Sequence, residues 1–217
     1  MNIEQARFNM VEQQIRPWNV LDHGVLELLS VVKREAFVPA AYKAMAFADM
    51  EIPLGHGQCM LAPRLEARML QDLAVQAHET VLEIGAGSGY MAALMAHRAH
   101  RVLSLEIVPE LAAMARNNLR AAGIQNAEVR QADGASNAAA EGNYDVIVLS
   151  GSVTEVPQSL LNLLKVGGRL AGIVGDEPVM RATIVTRASA TEFTTRQPWD
   201  CNAPRLLNFT EPSRFQF

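Results

Sequence analysis

The chain has 217 residues, 49% of them hydrophobic, and a formal net charge of -4. That length and apolar content suffice for one sizeable core and predict one compact unit rather than two separate domains. The acidic balance supplies no global basic field for nucleic acid or an acidic membrane surface, and the 2 cysteines, Cys59 and Cys201, form no CxxC pair, which argues against a structural zinc site or a disulfide framework.

The first residues, MNIEQARFNM, lack a basic segment followed by an apolar one, and no apolar run is long enough to cross a bilayer. A cytoplasmic protein is the expectation. Residues 1–75 read as an N-terminal helical extension with loops. Met10, Val11 and Gln14-Ile15 precede Pro17, which is expected to end that segment. Asp22 is positioned to cap a helix that carries Val25, Leu28, Leu29 and Val32 on one face. The stretch IPLGHGQCMLAP, from Ile52 to Pro63, holds prolines and glycines and is expected to be an irregular loop. A helix with Leu65, Met69, Leu70 and Leu73 should follow.

Residues 76–217 read as the core. Strand and helix alternate: a strand over Thr80 to Ile84, a helix over Ser88 to His97, a strand over Arg101 to Glu106, then a helix from Pro109 to Ala122 stopped by Gly123. A short strand over Ala127 to Arg130 and a doubly buried strand, YDVIVLS, over Tyr144 to Ser150 complete the pattern. Such alternation predicts a parallel α/β sheet with right-handed crossovers. After a helix at Leu160 to Leu164 and a turn at Gly167-Gly168, three strands (Arg169 to Val174, Met180 to Arg187, Glu192 to Gln197) leave little room for helices. The sheet is therefore expected to finish in an antiparallel edge.

The stretch LEIGAGSGY, from Leu82 to Tyr90, sits at the first strand-to-helix turn, where open α/β sheets bind nucleotides. Its glycines, Gly85, Gly87 and Gly89, follow GxGxG, and Tyr90 stands where the dinucleotide pattern GxGxxG has its third glycine. Glu83 would repel a dinucleotide's phosphates, whereas a sulfonium and an ammonium suit an acid. Glu106 ends the second strand, where an acid bonds ribose hydroxyls. Asp133-Gly134 follows the third strand, where a carboxylate and a glycine can border an adenine. The pattern therefore points to S-adenosylmethionine, with S-adenosylhomocysteine as product.

Beyond that loop the sequence resembles the protein-L-isoaspartate O-methyltransferase family. MVEQQI at Met10 to Ile15, REAFVP at Arg34 to Pro39, AFADMEIPLGHGQ at Ala46 to Gln58, LEIGAGSGYMAA and YDVIVLSGSVTEVPQSLL carry the likeness. The resemblance implies a Rossmann-like, seven-stranded class I methyltransferase sheet with an N-terminal extension. It also implies a protein or peptide acceptor whose isoaspartyl carboxylate is methylated for repair. The cofactor set is then Gln58, Glu83, Gly85, Gly87, Ser88, Gly89, Tyr90, Glu106, Ile107, Asp133 and Gly134.

The acceptor loop departs from the family. Where the family reads GQTISQP, this chain reads Gly57-Gln58-Cys59-Met60-Leu61-Ala62-Pro63. By position the catalytic candidates are Cys59, Leu61 and Ser150. The change predicts weak or absent isoaspartyl transfer unless Ser150, Ser152, Thr154, His56 or backbone N–H groups substitute, because a missing donor at such a site costs about 10²–10³ in rate. Cys59 reads as a small filler, His56 as a solvated loop residue and Trp199 as a packed edge-strand residue. A methyltransferase with another acceptor, and a non-catalytic S-adenosylmethionine-binding protein, remain compatible with the changed loop; a nicotinamide-dependent oxidoreductase is opposed by Glu83.

Overall fold

The computed structural model describes residues 2–136 and 142–211. The N-terminal extension contains α1 (Ile3–Asn9), a π-helical stretch over Met10–Ile15 and a 3-10 turn over Arg16–Trp18. The helical path thus runs through Pro17 and ends one residue after it, at Trp18. Proline lacks only an N–H that a first-turn position does not use, and the chain breaks instead at Asn19, in the left-handed region. Asp22 caps α2 (His23–Val31) by accepting a hydrogen bond from Val25 N at 2.8 Å, and Val25, Leu28, Leu29 and Val32 are all buried.

Two short strands, β1 (Ile52–Gly55) and β2 (Gln58–Met60), form an antiparallel hairpin where an irregular loop was expected. Prolines and glycines read as breakers, yet Ile52, Leu54 and Met60 are buried and hold the hairpin against the body of the protein. The tip, Gly55-His56-Gly57, turns through three consecutive positive φ angles of 89°, 55° and 71°. Proline is tolerated in such an edge strand. Helix α3 (Pro63–Leu73) follows, with Pro63 in its first turn and Leu65, Met69, Leu70 and Leu73 buried.

The main sheet has seven strands in the order β5-β4-β3-β6-β7-β8-β9. They are β3 (Thr80–Ile84), β4 (Arg101–Glu106), β5 (Ala127–Gln131), β6 (Tyr144–Val153), β7 (Leu164–Asp176), β8 (Val179–Arg187) and β9 (Phe193–Asp200). The first five are parallel, and β8 and β9 pair antiparallel at the edge. Gly167-Gly168, expected as a turn, lies inside β7. The register slips there between Leu164 and Arg169, and a Cβ at Gly168 would stand 2.9 Å from Asp145 O, so a glycine lets the bulged strand stay close to β6.

Alternating side chains send one apolar set to each face of the sheet. Val81, Val102, Val146 and Ile173 join the layer beneath the N-terminal helices, α3, α4 (Tyr90–Ala96) and α5 (Pro109–Ala121). Leu82, Leu103, Ile147 and Leu170 meet the short α6 (Gln158–Leu161) and the segment around Leu206 and Phe209. Arg169 ties the layers together. It bonds the terminal carbonyls of α3 at Leu73 and Ala74 and pairs with Glu79 at 2.7 Å. No helix among the described residues is long and apolar enough to cross a membrane.

Candidate active site

Between β3 and β6 the strand order reverses direction, the place where open α/β sheets bind ligands. Three acidic or glycine-rich segments meet there at the carboxyl ends of β3, β4 and β5. A small cleft opens at this point. Gly85 and Gly87 supply part of its floor, Glu106 and Ile107 one wall, and Asp133 and Gly134 another. Gln58 and Cys59 reach it from the hairpin, and Ser150 from β6.

The glycine loop has the shape its sequence promised. Gly85 N donates to Leu105 O at 2.8 Å, and Gly85, Gly87 and Gly89 have φ angles of 89°, 51° and 85°. Gly89 acts in packing. It lines neither the cleft nor the cavity behind it, and its missing Cβ leaves room for Ala115 of α5, whose Cα would lie 3.2 Å away. Its left-handed conformation also makes α4 begin at Tyr90 rather than at Ser88.

Glu106 accepts from Gly87 N at 2.8 Å and from Val108 N at 3.0 Å, so it fixes the glycine loop to the end of β4 while facing the cleft. Asp133 accepts from Ala135 N at 2.9 Å and, through its other oxygen, from Asn208 Nδ2 at 2.8 Å.

Behind the cleft lies a smaller inner cavity that shares Cys59, Gly85, Gly87 and Ser150 with it. Glu83, Glu66, Tyr90, Ser88 and Leu61 are among its other walls. Glu83 is fully buried. It accepts from Ser104 Oγ at 2.5 Å and from Ser150 Oγ at 2.7 Å. Among the described residues it has hydroxyl partners and no cation. Burial pushes its pKa up to about 7 against those two hydrogen bonds, helped by the nearby charges of Glu66 and Glu106. A buried carboxylate without a cation is costly, and a cationic ligand beside it would offset that cost.

The other acceptor-loop residues differ in character. Cys59 donates weakly to Glu51 at 3.6 Å. Burial and the Glu51 charge push its thiol up to about 12, so it is a neutral thiol at physiological pH. Leu61 is 6% exposed and belongs to the core, with only its edge on the inner cavity. His56 is exposed at the hairpin tip. Trp199 is 8% exposed and donates through Nε1 to Asp72 at 2.8 Å, the packed edge-strand role expected of it.

Sequence reasoning missed the segment after β9. Leu206, Leu207 and Phe209 line the cleft. The segment runs beside the end of β6, with Leu206 N donating to Ser152 O at 2.9 Å and Ser152 N donating to Pro204 O at 2.7 Å. Gly151 permits this approach, since a Cβ there would stand 2.9 Å from the Leu206 side chain. The one available signal was the apolar pattern of Leu206, Leu207 and Phe209 beyond the last strand.

The chain resembles known proteins over most of its length. Residues 5–201 match the family model described as Protein-L-isoaspartate(D-aspartate) O-methyltransferase. A protein-L-isoaspartate O-methyltransferase of Methanoculleus marisnigri is 41% identical over 79% of this chain and 78% of its own. Another, from Syntrophobacter fumaroxidans, is 40% identical over 85% of this chain and 86% of its own. The fold is shared with a Plasmodium falciparum structure assigned to the same activity and solved with S-adenosyl-L-homocysteine, at TM-score 0.78 and 20% identity, covering 94% of this chain and 97% of that one. With the family model spanning nearly the whole chain and relatives this similar across most of their length, the chain belongs to the protein-L-isoaspartate(D-aspartate) O-methyltransferase family.

Proposed function

We propose that the protein transfers a methyl group from S-adenosylmethionine to the free carboxylate of isoaspartyl residues in damaged proteins. The observation that carries the cofactor assignment is Glu83, a buried carboxylate with no cationic partner, beside a cleft floored by glycine backbone. A phosphate-bearing ligand would meet Glu83, Glu106 and Asp133, all of one sign. A ligand with positive charge at one end and ribose and adenine at the other fits the same residues. When bound, S-adenosylmethionine supplies an electrophilic sulfonium methyl group.

The chain's own task is then binding, orientation and exclusion of water. Glu83 faces the cationic end, Glu106 the ribose and Asp133 the adenine. Cys59, Leu61 and Ser150 stand at the acceptor end. An isoaspartyl carboxylate is already ionised at neutral pH, so no general base is required. Catalysis comes from holding an oxygen in line with the methyl group. The Gln58 amide supplies a neutral donor near the acceptor carboxylate. The Cys59 thiol adds no charge, and Leu61 keeps water out of the inner cavity. The Ser150 hydroxyl proton is held by Glu83, so Gln58 and main-chain N–H groups carry more of the acceptor's hydrogen bonding than a free hydroxyl would.

Incubation with an isoaspartyl peptide, followed by tandem mass spectrometry, tests the assignment. The methyl group should sit on the isoaspartyl carboxylate. Methylation at another carboxylate, or at nitrogen, would replace this acceptor with a different one.

A further inference from the structure

The REAFVP segment has a role that neither the cofactor nor the acceptor claims. Arg34 is fully buried, the largest of the fully buried side chains among the described residues. Its guanidinium points to four separate parts of the chain. Nε donates to Ala46 O at 3.1 Å, in the segment leading to the hairpin. Nη2 donates to Leu61 O at 2.7 Å, immediately after β2. Nη1 pairs with Glu66 of α3. The plane stacks 5.1 Å from the centroid of the Tyr90 ring, the first residue after the glycine loop. Phe37, three residues on, meets the same ring edge-on at 5.4 Å.

We infer that Arg34 is a positioning residue for methyl transfer: its one guanidinium fixes the acceptor hairpin in register with the cofactor loop. The inference rests on the functional reading above. The hairpin brings Gln58 and Cys59 to the cleft, and Leu54 packs onto Gly87, where a Cβ would stand 3.1 Å from Leu54 Cδ1. Both ends of the hairpin are therefore set by contacts outside it, Ala46 O before it and Leu61 O after it. Arginine's planar fork can serve three acceptors at once, and lysine's point charge cannot hold that geometry. Arg34 itself touches neither the cleft nor the inner cavity among the residues that line them.

Arg34→Lys is the first variant. The fall in kcat/KM for an isoaspartyl peptide should be about 10²-fold, the scale expected when a reacting group is misplaced by an ångström. It should reside in kcat more than in KM, with S-adenosylhomocysteine affinity by calorimetry unchanged. Hydrogen exchange at the Gln58–Met60 amides should quicken by about tenfold while the amides of the central strands hold. The second variant, Arg34→Met with Glu66→Met, removes the buried pair together, which often restores stability. It should regain thermal stability without regaining kcat. Wild-type kcat and wild-type hairpin exchange in Arg34→Lys, or a double variant that recovers turnover together with stability, would overturn the inference. Absence of isoaspartyl methylation by the wild-type protein would count against the functional reading alone, and the exchange comparison would then decide the role of Arg34.

Discussion

Replacing Glu83 with glutamine separates two consequences of one buried charge. The folded-state pKa is about 7, above the ordinary 4.5, because burial disfavours the ionised form. The folded protein therefore keeps a proton that the unfolded chain gives up between those values. Stability from this group is full below about pH 4.5 and is lost as the pH rises through 7. At about 1.4 kcal/mol per pKa unit, the loss is about 3 kcal/mol. Cofactor affinity should run the other way. The sulfonium charge of S-adenosylmethionine does not titrate, and it favours the carboxylate. With a pKa near 7 the ionised fraction rises about tenfold from about pH 6 to pH 8, so the Kd should tighten by about that factor. Calorimetric titration with S-adenosylmethionine across this range, beside denaturant unfolding of the ligand-free protein, measures both. Glu83→Gln should weaken binding at the upper end, flatten the pH dependence of Kd and remove the matching slope in stability. An unchanged slope of both quantities in the variant would refute the assignment of Glu83 as the cation's partner.

Three other outcomes are expected. Leu61→Ser with Cys59→Thr should raise kcat/KM on isoaspartyl peptides. Because Leu61 is buried, the same change should lower stability by about 2–4 kcal/mol in denaturant unfolding, and no gain in turnover would show that side-chain hydroxyls are not what the loop lacks. Gly134→Ala would bring a Cβ within 2.4 Å of Ile84 Cγ2, on a stiff β-branched side chain in the cleft wall. It should lower stability by about 1–3 kcal/mol and weaken cofactor binding, as read by thermal unfolding with and without ligand. Cys59 should alkylate slowly with iodoacetamide near pH 7, since its thiol is held up to about 12. Fast stoichiometric labelling there would contradict the neutral-thiol assignment.

The central sheet was legible because its signals are local. YDVIVLS is short, continuously apolar and β-branched at Val146, Ile147 and Val148, which together favour a buried strand over a helix. The GxGxG turn and the acids Glu83, Glu106 and Asp133 fall at the strand ends that the alternation itself predicts. The hairpin was illegible for the opposite reason. Pro53, Gly55 and Gly57 speak locally for a break, and the burial of Leu54 over the glycine loop outweighs them only in three dimensions. Leu206 and Phe209 reach the cleft across most of the chain's length, with no period to announce it. Arg34 stood inside a recognised motif. That a charged side chain there is fully buried follows from Glu66, Leu61 and Ala46 converging on it, none of them its neighbour in sequence.

The measurement that bears most directly on the account is S-adenosylhomocysteine production from S-adenosylmethionine, with an isoaspartyl peptide and its normal aspartyl twin as acceptors. Production with the isoaspartyl peptide alone is the predicted result, and it would mean that Gln58 and main-chain donors serve where the loop has lost its hydroxyls. Production with neither, from folded protein that binds the cofactor, would contradict isoaspartyl transfer and leave a cofactor-binding fold with another acceptor or none.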